Sequence, residues 1–174
     1  MLFDIGVDAM SVVKRIIAER PWILLVLLKA LDMGSGSFTA RDIAEPLGLN
    51  TYVVQRALWW LKKYGFVEEV PGTVPRRYKL KSVSDDLLSE IRAYRWVCGN
   101  TIVVRARDLY VVFIVRGRDE VLTRVVPASI VECVEKILSS SGEEDVSRIA
   151  SMCGVDEPTA KHALRVVRTL RCRG

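Results

Sequence analysis

The stretch from Thr39 to Val67 reads TARDIAEPLGLNTYVVQRALWWLKKYGFV, and the fold turns on it. Thr39 is placed to cap a short helix, and Asp42 three residues later approximates a capping box. Ile43, Ala44 and Leu47 form its apolar side. Pro46 near its end removes a backbone donor or kinks the last turn. Gly48-Leu49 reads as a tight turn. Asn50 then caps a longer helix over 51–64, and Gly65 stops it. Along this helix Val54, Ala57, Leu58 and Leu61 recur at i, i+3, i+4 and i+7, one buried stripe. Residues 66–70 read as a strand, Pro71 to Pro75 as a turn, and 76–80 as the returning strand.

Upstream, residues 8–20 read as an amphipathic helix with Asp8 as its cap. Ala9, Val13, Ile16 and Ile17 share a face, with Val12 beside them. Pro21 closes this helix or opens the next, 22–33, which is nearly all apolar and must be buried. Gly34 to Gly36 is its stop. The longest apolar run, Trp22 to Leu28, has seven members, far short of the roughly 18 needed to span a bilayer. The amino-terminal Met1-Leu-Phe-Asp4 has no positive segment, so no secretory signal and no membrane partner are expected.

The order helix, short helix, glycine turn, helix, β-hairpin resembles the winged helix-turn-helix family of archaeal transcriptional regulators. The residues that carry the resemblance are Ile43-Ala44, Leu47-Gly48-Leu49, Arg56-Ala57-Leu58, Leu61 and Tyr64-Gly65-Phe66-Val67-Glu68. It covers residues 21–81. It implies an α+β fold in which helix 51–64 enters the major groove of DNA and the 71–81 hairpin is the wing. Winged helices also serve as protein-interaction modules, so fold alone does not fix function.

Downstream, residues 84–97 are expected to be a helix capped by Ser84, with Asp85 and Asp86 in its first turn. Three runs rich in Val, Ile and Tyr follow, at 101–104, 109–115 and 121–126. They are expected to form a three-stranded antiparallel meander whose middle strand needs cover on both faces. The last stretch repeats the first. Adding 106 to the residue numbers takes Ile43-Ala44 to Ile149-Ala150, Gly48-Leu49-Asn50 to Gly154-Val155-Asp156, Ala57-Leu58 to Ala163-Leu164 and Leu61 to Val167. Helix 129–139 then stands in for the first helix of the unit. The expected organisation is an amino-terminal helix plus winged unit over 1–82, a linker helix and meander over 83–127, and a helix-turn-helix-like three-helix unit over 128–174. The second unit is expected to lack a wing, because the sequence ends at Gly174.

The net charge is +5, which permits nucleic-acid binding without demanding it. Its distribution says more. Residues 51–81 hold seven basic and two acidic residues, again a local +5. Gln55, Asn50 and Asn100 are the only side-chain amides, and Arg outnumbers Lys 18 to 8. This composition points to a thermophile, or to a GC-rich genome. The four cysteines, 98, 133, 153 and 172, include no C-x-x-C pair, and His162 is the only histidine. No metal site or cofactor is expected. Cytoplasmic thiols are the default, with a disulfide open to a hyperthermophile protein. No phosphate loop, nucleophile elbow or metalloprotease motif is present, so no enzyme is expected.

With the apolar stripe inside, helix 51–64 turns Tyr52, Gln55, Arg56, Trp59, Lys62 and Lys63 outward. Thr51, Tyr52, Gln55 and Arg56 lie at its amino-terminal half, where side chains reach base edges. Gln pairs with adenine and Arg with guanine in a bidentate way. Arg76, Arg77, Lys79 and Lys81 suit phosphates. Lys161, Arg165 and Arg168 are the equivalent DNA-facing candidates on helix 157–170. The bland alternative for each group is a solvated basic face. Turn arginines 105, 107, 116 and 118 are weaker candidates. Trp59 and Trp60 depart from the family pattern. They are expected to pack on helix 84–97 or the meander, or to anchor an interface; the less favoured alternative is a Trp stacking on bases, which fits single strands better than duplex. The expected function is a cytoplasmic, dimeric, double-stranded-DNA-binding regulator of transcription. The alternative is a tandem winged-helix adaptor that joins proteins in a complex.

Overall fold

In the computed structural model the described residues are 9–34, 36–81 and 91–172. The chain is α+β and divides into two compact units, Met1–Leu88 with Val115–Val121, and Ser89–Ile114 with Leu122–Gly174. The expected caps Asp8 and Ser84 and the acidic pair Asp85 and Asp86 fall outside the described residues.

The first unit begins with α1 (Ala9–Glu19) and α2 (Trp22–Asp32). Residues 23 to 28 and Ala30 of α2 are all buried, which a helix apolar all round requires. A two-residue strand, β1 (Phe38–Thr39), leads into α3 (Ala40–Leu47). The Thr39 hydroxyl accepts from the Asp42 N–H at 3.2 Å, and the Asp42 carboxylate accepts from the Thr39 N–H at 2.8 Å. This closed box fixes where α3 starts. Gly48 ends it at φ +67°, a left-handed conformation open to glycine without steric penalty. Asn50 caps α4 (Thr51–Lys63), and its side-chain oxygen accepts from the Tyr52 N–H at 3.2 Å. The Asn50 amide group donates to Asp119, and its N–H to the Arg118 carbonyl at 2.6 Å, both on the 115–121 turn of the same unit.

Strands β2 (Val67–Val70) and β3 (Arg77–Leu80) form the hairpin. The sheet order is β1-β3-β2, with Phe38 opposite Tyr78 and Val67 opposite Leu80. The buried rings of Phe38 and Tyr78 stack 6.3 Å apart and seal this sheet onto the helices. Val54, Ala57, Leu58 and Leu61 of α4 are buried, the stripe expected from their spacing.

The second unit opens differently from the sequence reading. Ile91 to Ala93 are helical, but Arg95–Cys98 is a strand, β4, where a helix was expected through residue 97. The meander therefore has four strands instead of three: β4, β5 (Thr101–Ala106), β6 (Leu109–Arg116) and β7 (Glu120–Pro127), in that order. Cys98 faces Thr101 across a two-residue Gly99-Asn100 turn with Gly99 at φ +58°, and pairing to β5 overrides the local helical pattern. Residues 110 to 114 of the central strand are all buried, so both its faces are covered.

Three helices complete this unit: α5 (Ala128–Ser141), α6 (Val146–Cys153) and α7 (Glu157–Arg171). Val103, Tyr110, Val112, Ile114 and Val126 of the sheet share one core with Val131, Val134, Ile149, Ala163 and Val167 of the helices. That shared core joins the sheet and the last three helices into one unit.

The repeat at an offset of 106 extends to backbone geometry. Gly48 and Gly154 have φ +67° and +66°. The Leu49 N–H donates to the Ala44 carbonyl at 3.0 Å, and the Val155 N–H to the Ala150 carbonyl at 3.0 Å. Asn50 and Asp156 cap the helices that follow. Ile43, Ala44, Ala57, Leu58 and Leu61 are buried, as are Ile149, Ala150, Ala163, Leu164 and Val167, while Leu49 is buried and its counterpart Val155 only half-buried. Two disulfides lie in the second unit, Cys98–Cys172 and Cys133–Cys153.

Candidate nucleic-acid interface

The outer face of α4 collects most of the residues singled out from the sequence. Tyr52, Gln55, Arg56, Trp59, Lys62 and Lys63 are exposed, while Thr51 and Trp60 are half-buried. They project from a helix whose opposite side is locked into the core, so their positions are set by packing. On the hairpin, Arg76 and Lys79 are exposed and Arg77 is half-buried.

These cations are not equally free. Glu69 on β2 holds both Lys62, at 3.5 Å, and Arg76, at 3.6 Å, linking helix and hairpin. Two cations on one carboxylate still leave a net positive charge. Lys79 pairs with Glu68 at 3.1 Å. Exposed pairs of this kind contribute little to stability and exchange readily for another anion. Arg77 is occupied differently. Its guanidinium donates to the Ser37 hydroxyl at 2.9 Å and to the Ser37 carbonyl at 2.8 Å. It ties the hairpin to the approach of β1, a fold role that charge counting did not reveal. Arg56 makes no ion pair with any described residue.

The two tryptophans separate. The Arg20 guanidinium lies 3.6 Å from the centre of the Trp60 ring, and Tyr64 flanks that ring at 6.2 Å. Tyr64 donates to Glu19 at 3.3 Å, and Glu19 is held by Arg15 and Arg20. The Arg15 hydrogen bond keeps the Glu19 carboxyl below its ordinary value. Trp60 is thus covered from the end of α1 and from α4 itself, and residues 84–90 of the helix expected to cover it lie outside the described residues. Trp59 remains 51% exposed. Trp60 meets it nearly perpendicular at 4.8 Å, and the Lys63 ammonium lies 4.5 Å from its ring centre.

Between α4, the start of α3 and the hairpin runs a groove of about 610 Å³. Thr51, Gln55, Trp59, Lys62 and Arg76 line it, together with Thr39, Arg41, Glu69, Pro75 and Tyr78, none of which the sequence marks as a binding residue. Val74 at the hairpin tip is 99% exposed. A concave wall could not be seen from helical spacing, because the hairpin supplies half of it.

The second candidate helix, α7, presents less. Lys161 and Arg168 are exposed and Arg165 is half-buried. Val166 and Thr169 are buried, where the positions equivalent by the repeat on α4 are Trp60 and Lys63. Arg168 lies 3.8 Å from Glu144, and Arg171 donates to Ser139. His162 is half-buried, and its Nδ1 has no partner among the described residues. Burial, with Arg124, Arg165 and Lys161 nearby, pushes its pKa below the ordinary 6.5.

Among the described residues no group of three His, Cys, Asp or Glu side chains is placed to hold a metal ion, and no helix is long and apolar enough to cross a membrane. Comparison of the chain with family models, with curated proteins and with solved structures gave no match.

Proposed function

We propose that this chain is a winged helix-turn-helix protein that binds double-stranded DNA as a cytoplasmic regulator of transcription. The observation that carries this reading is the exposed face of α4, on which Gln55, Arg56, Lys62 and Lys63 stand clear of the core beside the basic hairpin. The helix enters the major groove with Gln55 and Arg56 toward base edges, and Arg76 and Lys79 meet the phosphates. A two-fold dimer would set two such helices about one helical turn, 34–36 Å, apart. Paired cysteines in a cytoplasmic protein fit a hyperthermophile host.

The test is binding of a random 30-base-pair duplex by fluorescence anisotropy across a salt series. The expected result is a log–log slope of several units, about 0.9 for each phosphate neutralised. A lack of binding even at low salt retires the proposal.

The 51% exposure of Trp59 favours a second reading, a protein-joining adaptor, since aromatic side chains are frequent anchors at interfaces. That reading expects no salt-dependent DNA affinity and a partner lost on Trp59→Ala.

A further inference from the structure

We infer that the groove between α4 and the β2–β3 hairpin receives one unpaired base of a nucleic-acid strand, stacked on Trp59. This rests on the nucleic-acid reading above and adds to it a preference for DNA that carries an unstacked base. The argument begins with the position of Trp59. It lies in the middle of the face that would enter a major groove, one helical turn beyond Gln55, and it is 51% exposed. An indole offers a single N–H donor and no acceptor, so it reads duplex edges poorly. What it offers is a flat π-surface, one side of which the exposed Lys63 ammonium approaches to 4.5 Å from the ring centre. Inside a duplex each base already stacks on its neighbours, so only an unpaired base presents a free face to it.

The surroundings fit a nucleotide. The groove holds about 610 Å³, within the range of about 300–1,000 Å³ common to small-ligand sites. Gln55 and Thr51 lie along the same wall as Trp59 and supply donors and acceptors for a base edge. Lys62 and Arg76 share the single carboxylate of Glu69 at 3.5 and 3.6 Å. One positive charge is therefore left over in the groove that Trp59 lines, and a nucleotide brings a phosphate to match it. The same excess charge argues against an apolar peptide as occupant. Covering the indole also supplies a driving force that a rim of lysines alone does not.

The experiment compares three labelled DNAs with the full chain at one salt concentration. They are a 30-base-pair duplex, the same duplex with one extra unpaired nucleotide at its centre, and the corresponding single strand. The unpaired substrates are expected to bind about five- to a hundredfold more tightly than the paired duplex, the range of one base–aromatic stack. Trp59→Ala should collapse that ratio toward one, and Trp59→Phe should keep most of it. Quenching of intrinsic fluorescence by the single strand should disappear in Trp59→Phe. Equal binding of all three DNAs by the unaltered chain overturns the inference and leaves the duplex reading standing. A ratio that survives Trp59→Ala overturns it too, because the base then lies elsewhere. Failure of every DNA to bind overturns both and leaves the groove to a protein partner.

Discussion

Reduction of the disulfides should loosen the second unit and spare the first. Cys98–Cys172 closes a sequence separation of 74 residues and Cys133–Cys153 one of 20. Chain entropy assigns such loops about 4 and about 3 kcal/mol respectively. The smaller loop lies inside the larger, and shortening the outer loop by the inner one lowers its contribution by only about 0.3 kcal/mol. The pair is therefore worth about 7 kcal/mol. A unit of this size has a total stability of about 4–12 kcal/mol at 0.05–0.15 kcal/mol per residue. Full reduction thus brings the unit near its threshold. The assay is hydrogen exchange with and without a strong reductant, read separately on β5 with α7 and on α4. Protection in β5 and α7 should fall by several orders of magnitude, while α4 keeps its own. Trp96, which packs on the core of the second unit, gives a parallel signal in urea unfolding. Unchanged exchange in α7 after reduction, or four free thiols in the untreated native protein, would refute the reasoning.

Other perturbations separate fold from binding. Gly48→Ala and Gly154→Ala each force a side chain into a left-handed conformation, with nothing within 4 Å of the added carbon. Each should cost about 1–2 kcal/mol in its own unit, and equal costs in thermal unfolding would check the repeat at the level of energy. Arg56→Ala should weaken binding of a selected site by about 1–3 kcal/mol and relax sequence preference, as read by competition with random duplex. Arg77→Ala should lower the melting temperature with little change in the salt slope, because its guanidinium is engaged by Ser37; a slope reduced by about one with stability intact would return Arg77 to the phosphates. The pKa of His162 is lowered in the fold, chiefly by burial. The unfolded chain therefore takes up the proton first, and stability should decline as pH falls below 6.5 toward the lower folded value. His162→Gln should flatten that part of the pH–stability curve.

Local chemistry explains what the sequence shows clearly. A capped short helix, a left-handed glycine and a second capped helix are all written within a few residues of one another. Their recurrence at an offset of 106 therefore survives to the hydrogen bonds of the turn. The buried stripe of α4 follows in the same way from helical spacing. Features decided by distant pairing are less legible. Residues 95–98 carry a helix-compatible pattern, yet Trp96-Val97-Cys98 before Gly99-Asn100 is also a hairpin signal, and β5 decides between them. Four cysteines allow three pairings, and only the packing of α7 beside β4 and of α5 beside α6 selects one. Charge counting gave residues 51–81 a surplus of five. It could not show that Glu69 stands between Lys62 and Arg76, or that Arg77 turns to Ser37.

The two copies of the repeat differ most on the outer faces of their longer helices, α4 and α7. Their turns and buried stripes match, so the backbone is under the same constraint in both. On α4 the positions just outside the stripe are Trp60 and Lys63, held by side-chain contacts at the surface. On α7 the equivalent positions are Val166 and Thr169, buried within the second unit. A helix that packs on two sides has only a narrow strip left to offer, and on α7 that strip is Lys161, Arg168 and Arg171. Its last turn is also joined to β4 through Cys98–Cys172. For α7 to offer the face proposed for α4, the apolar contacts of Val166 would have to open. The same motif thus leaves these two positions at the surface in one unit and buries them in the other.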